Sequence, residues 1–237
     1  MGVGYANAGR TDEAISAYKQ SLKLKPDDAE AWYWLGNSYG TAGRTSEAII
    51  ALEQATKLKH DYAEAWSVLG FAYGQSGRTA DAIAAYEKAT KLKPDFAEAW
   101  VGLGHYYGEA GSFDDAIAAC RQTVKLRPDL AAAWNNLGDA YMKASRIDDG
   151  IAAAKKSIEL DPKEAYAWCT LGECYQKAGR TDEAIAPFEQ ATKLKPDFAE
   201  AWYYLGACYE KAGRKDDAAA AFERAKSLKP ELFKKEM

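Results

Sequence analysis

Two histidines, four cysteines and a few acid–lysine pairs are the side chains of this 237-residue chain that could do chemistry. None falls into a pattern that chemistry needs. A general base requires a partner within hydrogen-bond reach; His60 and His105 each stand alone, the first in a turn and the second on a helix face. Cys120, Cys169, Cys174 and Cys208 match no zinc ribbon, zinc finger or paired-thiol motif. Cys174 and Cys208 are 34 residues apart, at a site held elsewhere by Ala72 or Ala140, and read as small buried thiols in an alanine slot. No Gly-x-x-x-x-Gly-Lys cradle for phosphate is present. Asp139 and Glu173 precede Lys143 and Lys177 by four residues, the spacing of intrahelical ion pairs worth ~0.2–0.5 kcal/mol. The chain reads as non-catalytic, with no cofactor and no metal site.

Composition narrows the partners. Lys and Arg number 31 and Asp and Glu 35, interleaved, for a net charge of −4. There is no basic stripe of the kind that nucleic-acid binding needs. No apolar run approaches the ~18 residues that span a bilayer. No export signal opens the chain, and free thiols fit a reducing compartment, which together point to the cytoplasm. Another protein remains as the natural partner.

The residues that could contact it are positioned by a repeat. Trp32, Trp66, Trp100, Trp134, Trp168 and Trp202 recur every 34 residues without a slip. A period of that length marks one structural unit copied in series. Within a unit, Trp32, Leu35, Gly36 and Tyr39 share one face of a helix. Ala42-Gly43 ends it, Gly suiting a left-handed cap. Thr45 is expected to cap a second helix, with Glu47 in its acidic first turn. Ala48, Ile49, Leu52, Ala55 and Leu58 form the second apolar face. A proline, replaced only by His60, then closes each unit. Gly36, Gly70, Gly104, Gly138, Gly172 and Gly206 are expected where paired helices approach closely, since mid-helix Gly otherwise costs ~1 kcal/mol.

Trp-x-x-Leu-Gly-x-x-Tyr, then Ala-Gly, then Ala, an aromatic, Ala and Pro, at this period, resembles the tetratricopeptide repeat family. The resemblance covers nearly the whole chain. It implies an all-α solenoid of helix–turn–helix repeats forming a right-handed superhelix, with first helices lining a groove for partner peptides or helices, and no catalytic activity. Two specialised variants of the family are missing. The carboxylate clamp needs Lys just after Trp, where Tyr33, Ser67, Val101, Asn135, Cys169 and Tyr203 stand. The Asn ladder two residues after Trp is absent as well.

The organisation expected is a truncated first repeat over residues 1–28, six full repeats (29–62, 63–96, 97–130, 131–164, 165–198, 199–232) and a tail at 233–237, as one continuous domain. Only half a helix, Met1 to Ala8, opens the chain, which suggests truncation from a longer parent and an apolar end able to self-associate. At the other end, Ala219 stands where the other units carry Ile, and Lys226 where they carry Leu22, Thr56, Thr90, Val124, Ile158 or Thr192, as suits a last helix, with Glu231 to Met237 a short or frayed tail. The fourth full unit departs most: Ser145 replaces the turn Gly, Gly150 a packing Ala, and Ala154 an aromatic. Either a crevice or local repacking follows. Pro187 should bend its helix.

The stripe beside each packing face should line the groove. It contains Tyr33, Asn37, Glu64, Phe71, Glu98, Val101 and His105 in the N-terminal half, and Asn135, Asp139, Lys143, Glu173, Lys177 and Tyr203 in the C-terminal half. Phe71 is the sharpest candidate, a large aromatic at a groove site. Gly40, Gly74 and Gly108 either leave room for a ligand or merely occupy the last helical turn. Eight acids against three lysines along the stripe favour a partner with some positive charge. The expected function is a protein-interaction scaffold; the alternative is the interaction domain of a larger enzyme, a transferase or kinase.

Overall fold

The computed structural model describes residues 10–233. The half-helix expected at Met1 to Ala8, with the open end it implies, and residues 234–237 lie outside the described residues. Among them run thirteen α-helices and a final 3₁₀ turn. The helices are α1 (Thr11–Leu24), α2 (Ala29–Thr41), α3 (Thr45–Leu58), α4 (Ala63–Gln75), α5 (Thr79–Leu92), α6 (Ala97–Glu109), α7 (Phe113–Leu126), α8 (Ala131–Lys143), α9 (Ile147–Leu160), α10 (Ala165–Lys177), α11 (Thr181–Leu194), α12 (Ala199–Lys211) and α13 (Lys215–Leu228). The fold is an all-α repeat solenoid. The chain divides into two compact units, residues 1–119 and 120–237. In the first, α2, α4 and α6 lie side by side with α3 and α5 packed against them; in the second, α8, α10 and α12 do so with α9, α11 and α13.

The tryptophan register has a direct cause. Each indole N–H donates to the backbone carbonyl six residues upstream: Trp32 to Pro26 (2.8 Å), Trp66 to His60 (3.0 Å), Trp100 to Pro94, Trp134 to Pro128 and Trp168 to Pro162 (each 2.9 Å), and Trp202 to Pro196 (3.1 Å). A half-buried indole needs an acceptor, and a backbone carbonyl is indifferent to the side chain that carries it. His60 therefore replaces proline without loss of the bond.

An arginine that the sequence pattern had not singled out holds five of the turns between paired helices; the turn before α7 carries Ser112 instead. Thr45 does not cap α3. Arg44 occupies the N-cap position and makes no side-chain cap bond. Its guanidinium instead grips Glu47 (2.6 Å) and covers the Tyr39 ring (4.6 Å to the centroid). Arg78, Arg146, Arg180 and Arg214 repeat this clasp on Tyr73, Tyr141, Tyr175 and Tyr209. The carboxylate sits in the first turn, where the helix dipole also favours it. Before each arginine the chain passes through positive φ, at 71° for Gly43 and 74° for Gly179. Ser145 holds the same place at 61°.

The mid-helix glycines lie where helices meet. A Cβ on Gly36 would fall 2.6 Å from Leu52, on Gly70 2.8 Å from Tyr86, and on Gly172 2.8 Å from the Phe188 ring. In the fourth repeat, Gly138 and Gly150 face each other so closely that a Cβ on either would meet the other's carbonyl at 3.2–3.3 Å. Ala154 opens no crevice there: it is fully buried, and Met142 folds into the same core at 4% exposure. Local repacking is the outcome. Helix α11 runs unbroken through Pro187. Beyond α13, Pro230–Phe233 form an ordered 3₁₀ turn, so the tail is not frayed there. Phe233 packs on Tyr203 and Phe222 at 5.5 and 6.1 Å between ring centroids. Ala219 and Lys226 are both exposed.

Two substitutions in the second unit should move stability oppositely. Ser145→Gly relieves a left-handed backbone and should stabilise by about 1 kcal/mol. Gly172→Ala pushes a methyl into a filled core and should destabilise by about 1–3 kcal/mol. Urea unfolding of the two variants beside the parent chain measures both.

Candidate protein-binding face

In the first unit the stripe residues come from α2, α4 and α6. Tyr33 is half-buried and packs against Tyr62 (ring centroids 5.0 Å apart). Asn37 turns its amide back to the Tyr33 carbonyl at 3.1 Å. Glu64 is engaged by Lys93 at 2.9 Å, and that hydrogen bond lowers its carboxyl pKa. Phe71 is 55% exposed, the most open of the large apolar side chains on this face. Glu98 is exposed and Val101 half-buried. His105 is exposed, pairs with Glu109 (3.4 Å) and meets the Tyr106 ring edge-on (4.8 Å).

Asn37 and Phe71 come together at a cavity of about 430 Å³, within the range of ligand pockets. Gly40 and Thr41 of α2 and Leu52 of α3 form one side; Val68, Ala72 and Gln75 of α4 form the other. The glycine row is not uniform. Nothing stands within 4 Å of a Cβ on Gly40 or Gly108, but the space over Gly74 is taken by the Tyr106 side chain. The stripe alone misses Leu52, Val68 and Ala72. A comparison across repeats finds two of them: Leu52 stands where Tyr18 and Tyr86 stand, and Ala72 where Tyr106 stands.

In the second unit the face is more polar. Asp139 pairs with Lys143 at 2.8 Å. Among the described residues the expected Glu173–Lys177 pair does not close; Glu173 instead accepts from the Cys169 thiol at 3.5 Å. Burial raises the Glu173 carboxyl pKa, and the nearby Asp139 adds to the rise. Asn135 is half-buried, and its Oδ1 has no partner among the described residues. Tyr203 packs under Phe222 and Phe233 rather than standing open. All four cysteines are buried and free. Burial pushes the Cys120 and Cys174 thiols up to about 12, far from the range of reactive thiolates.

Residues 60–235 match the family described as the C-terminal domain of cilia and flagella-associated protein 70, and residues 5–43 and 41–77 match the TPR repeat. The chain belongs to the tetratricopeptide repeat (TPR) family. Among solved structures this TPR chain is similar to MamA at 31% identity, over 70% of this chain and 97% of that one, with a TM-score of 0.60. It is similar in fold to YrrB, a TPR protein with an unusual peptide-binding site, at 21% identity, over 76% of this chain and 93% of that one (TM-score 0.57). A tetratricopeptide repeat protein from Parabacteroides merdae ATCC 43184 aligns at 17% identity over 96% of this chain and 90% of its own (TM-score 0.77). No curated protein matches the chain. TPR proteins are in general non-catalytic interaction scaffolds, and their partners are proteins. Among the described residues no helix is long and apolar enough to cross a membrane.

Burial holds the Glu173 pKa in the folded state above its unfolded value. Protonated Glu173 thus favours the folded state, and this stabilisation is lost as pH rises through the folded pKa. Glu173→Gln, always neutral, should raise the thermal midpoint at about pH 8, with the gain vanishing near pH 4. Equal midpoints for the two chains at both pH values would contradict it.

Proposed function

We propose that this TPR chain is a non-catalytic scaffold that binds a peptide segment or amphipathic helix of another protein through stripe residues of its first helices. The observation that carries the reading is Phe71, an exposed ring at the rim of a cavity that its own helix half builds. Apolar anchors of this kind dominate interface energetics, while the charges around them set orientation. The unbroken register supports treating residues 29–232 as one array. The peptide-binding site for which YrrB is described supports the mode. On the C-terminal half, Asp139, Lys143, Glu173 and Lys177 would act as polar steering groups, with Asn37, Glu64, Glu98, Val101 and Asn135 flanking the anchors. The excess of acids favours a partner segment that carries Lys or Arg.

Affinity capture followed by mass spectrometry supplies the partner. Phe71→Ala and His105→Ala together should then weaken its binding by roughly tenfold or more, with helicity unchanged because both side chains are exposed. Undiminished binding by the doubly substituted, folded chain would place the contact surface elsewhere.

A further inference from the structure

A second hollow, of about 420 Å³, lies apart from the stripe and is lined by α1, α2 and α3. Leu22, Trp32, Tyr39 and Ile50 give it apolar walls. Ile50 is 59% exposed, and at its place five later repeats carry Ala84, Ala118, Ala152, Ala186 and Ala220. An isoleucine there leaves apolar area in water that an alanine would not. The charged lining residues are Lys19, Lys23 and Glu47. Glu47 is held by Arg44 at 2.6 Å. Lys19 and Lys23, one helical turn apart on α1, close no salt bridge among the described residues; Lys19 lies 5.5 Å from the Tyr39 ring centroid. The hollow is therefore apolar with uncompensated positive charge.

The Tyr39 hydroxyl also lacks a hydrogen-bond partner among the described residues. Its counterparts show what such a hydroxyl takes. Tyr73 donates to Glu53 (2.7 Å), Tyr107 to Glu87 (2.5 Å) and Tyr209 to Glu189 (2.6 Å). Each of those glutamates stands at the position of Lys19. Lys155 repeats the exchange beside Tyr175, at 5.8 Å from its centroid, but there Glu159 replaces Lys23 and Ala186 replaces Ile50. Two free lysines, a free phenol and an aliphatic wall coincide at α1–α3.

We infer that this hollow is a second docking surface, for an acidic and apolar segment of a partner protein. A Glu or Asp carboxylate of that segment accepts from Lys19 and from the Tyr39 hydroxyl, and an aliphatic side chain beside it packs on Leu22 and Ile50. Charge complementarity selects the occupant: hydrogen bonds to an ionised carboxylate are stronger than neutral ones. An exposed ion pair alone contributes little, so the aliphatic contact supplies affinity and the lysines supply selectivity.

The test uses the full chain and 4-methylpentanoate, a carboxylate on an aliphatic tail, followed by amide NMR. Saturable shifts are expected at Lys23, Tyr39, Ile50 and Ala51. The neutral 4-methylpentanamide should bind roughly tenfold more weakly. Lys19→Glu supplies the carboxylate that the other repeats carry and should abolish the shifts; Ile50→Ala should weaken binding roughly fivefold. Both side chains are exposed, so helicity should be unchanged. The inference is overturned if these amides do not move, if acid and amide bind equally, or if a folded Lys19→Glu chain binds as before. Shifts of the same amides with protein concentration alone, lost in Lys19→Glu, would assign the hollow to a second copy of the chain and overturn it as well. Phe71 and His105 do not line this hollow, so the capture experiment above succeeds or fails independently.

Discussion

The bond from each repeat tryptophan to a carbonyl six residues upstream is the constraint on which the solenoid depends. It ties the start of every first helix to the turn that delivers it. Because the acceptor is backbone, the bond fixes spacing and leaves the side chain at the acceptor free. One residue inserted between Pro26 and Trp32 would detach the indole from its acceptor and rotate the next helix off its core. That explains a spacing that never slips, alongside a turn residue that does change, at His60. The arginine clasp does the equivalent work at the other turn, joining the end of one helix to the acidic start of the next.

With the frame held by repeated groups, specificity must lie in positions that break the repeat. Leu52, Ala72 and Phe71 make an open hollow under an exposed ring. Tyr86 and Tyr106 close the same hollow one repeat on. Ala154 shows that loss of an aromatic need not open space, because α8 and α9 close up on each other at Gly138 and Gly150. Which outcome occurs depends on residues of two neighbouring helices at once.

That dependence marks the limit of what the sequence disclosed. Helix pairing, the proline and glycine punctuation and the close approach at Gly36 and Gly172 follow from single-site periodicity and were legible. The clasp was not, because Arg44 looks like surface charge until its ring and carboxylate partners are placed. Thr45 resembled a cap only because it precedes an acidic turn. The engagement of Glu64 by Lys93 spans 29 residues, outside any helical spacing rule. The cavity was hidden for the same reason: it is a difference between aligned pairs, Ala72 with Gly40 against Tyr106 with Gly74. The ordered turn at Pro230–Phe233 depends on the rings of Tyr203 and Phe222, which no local pattern connects to it.

The central claim is that one frame carries a filled and an open copy of the same hollow. Nuclear Overhauser contacts report it most directly in solution. The account predicts strong contacts from the Tyr106 ring to the Gly74 α-protons and to the Tyr86 ring, and none from any side chain beyond the cavity wall to the Gly40 α-protons. A Tyr106 ring without contacts to Gly74, or a side chain of the chain itself seated over Gly40, would contradict it.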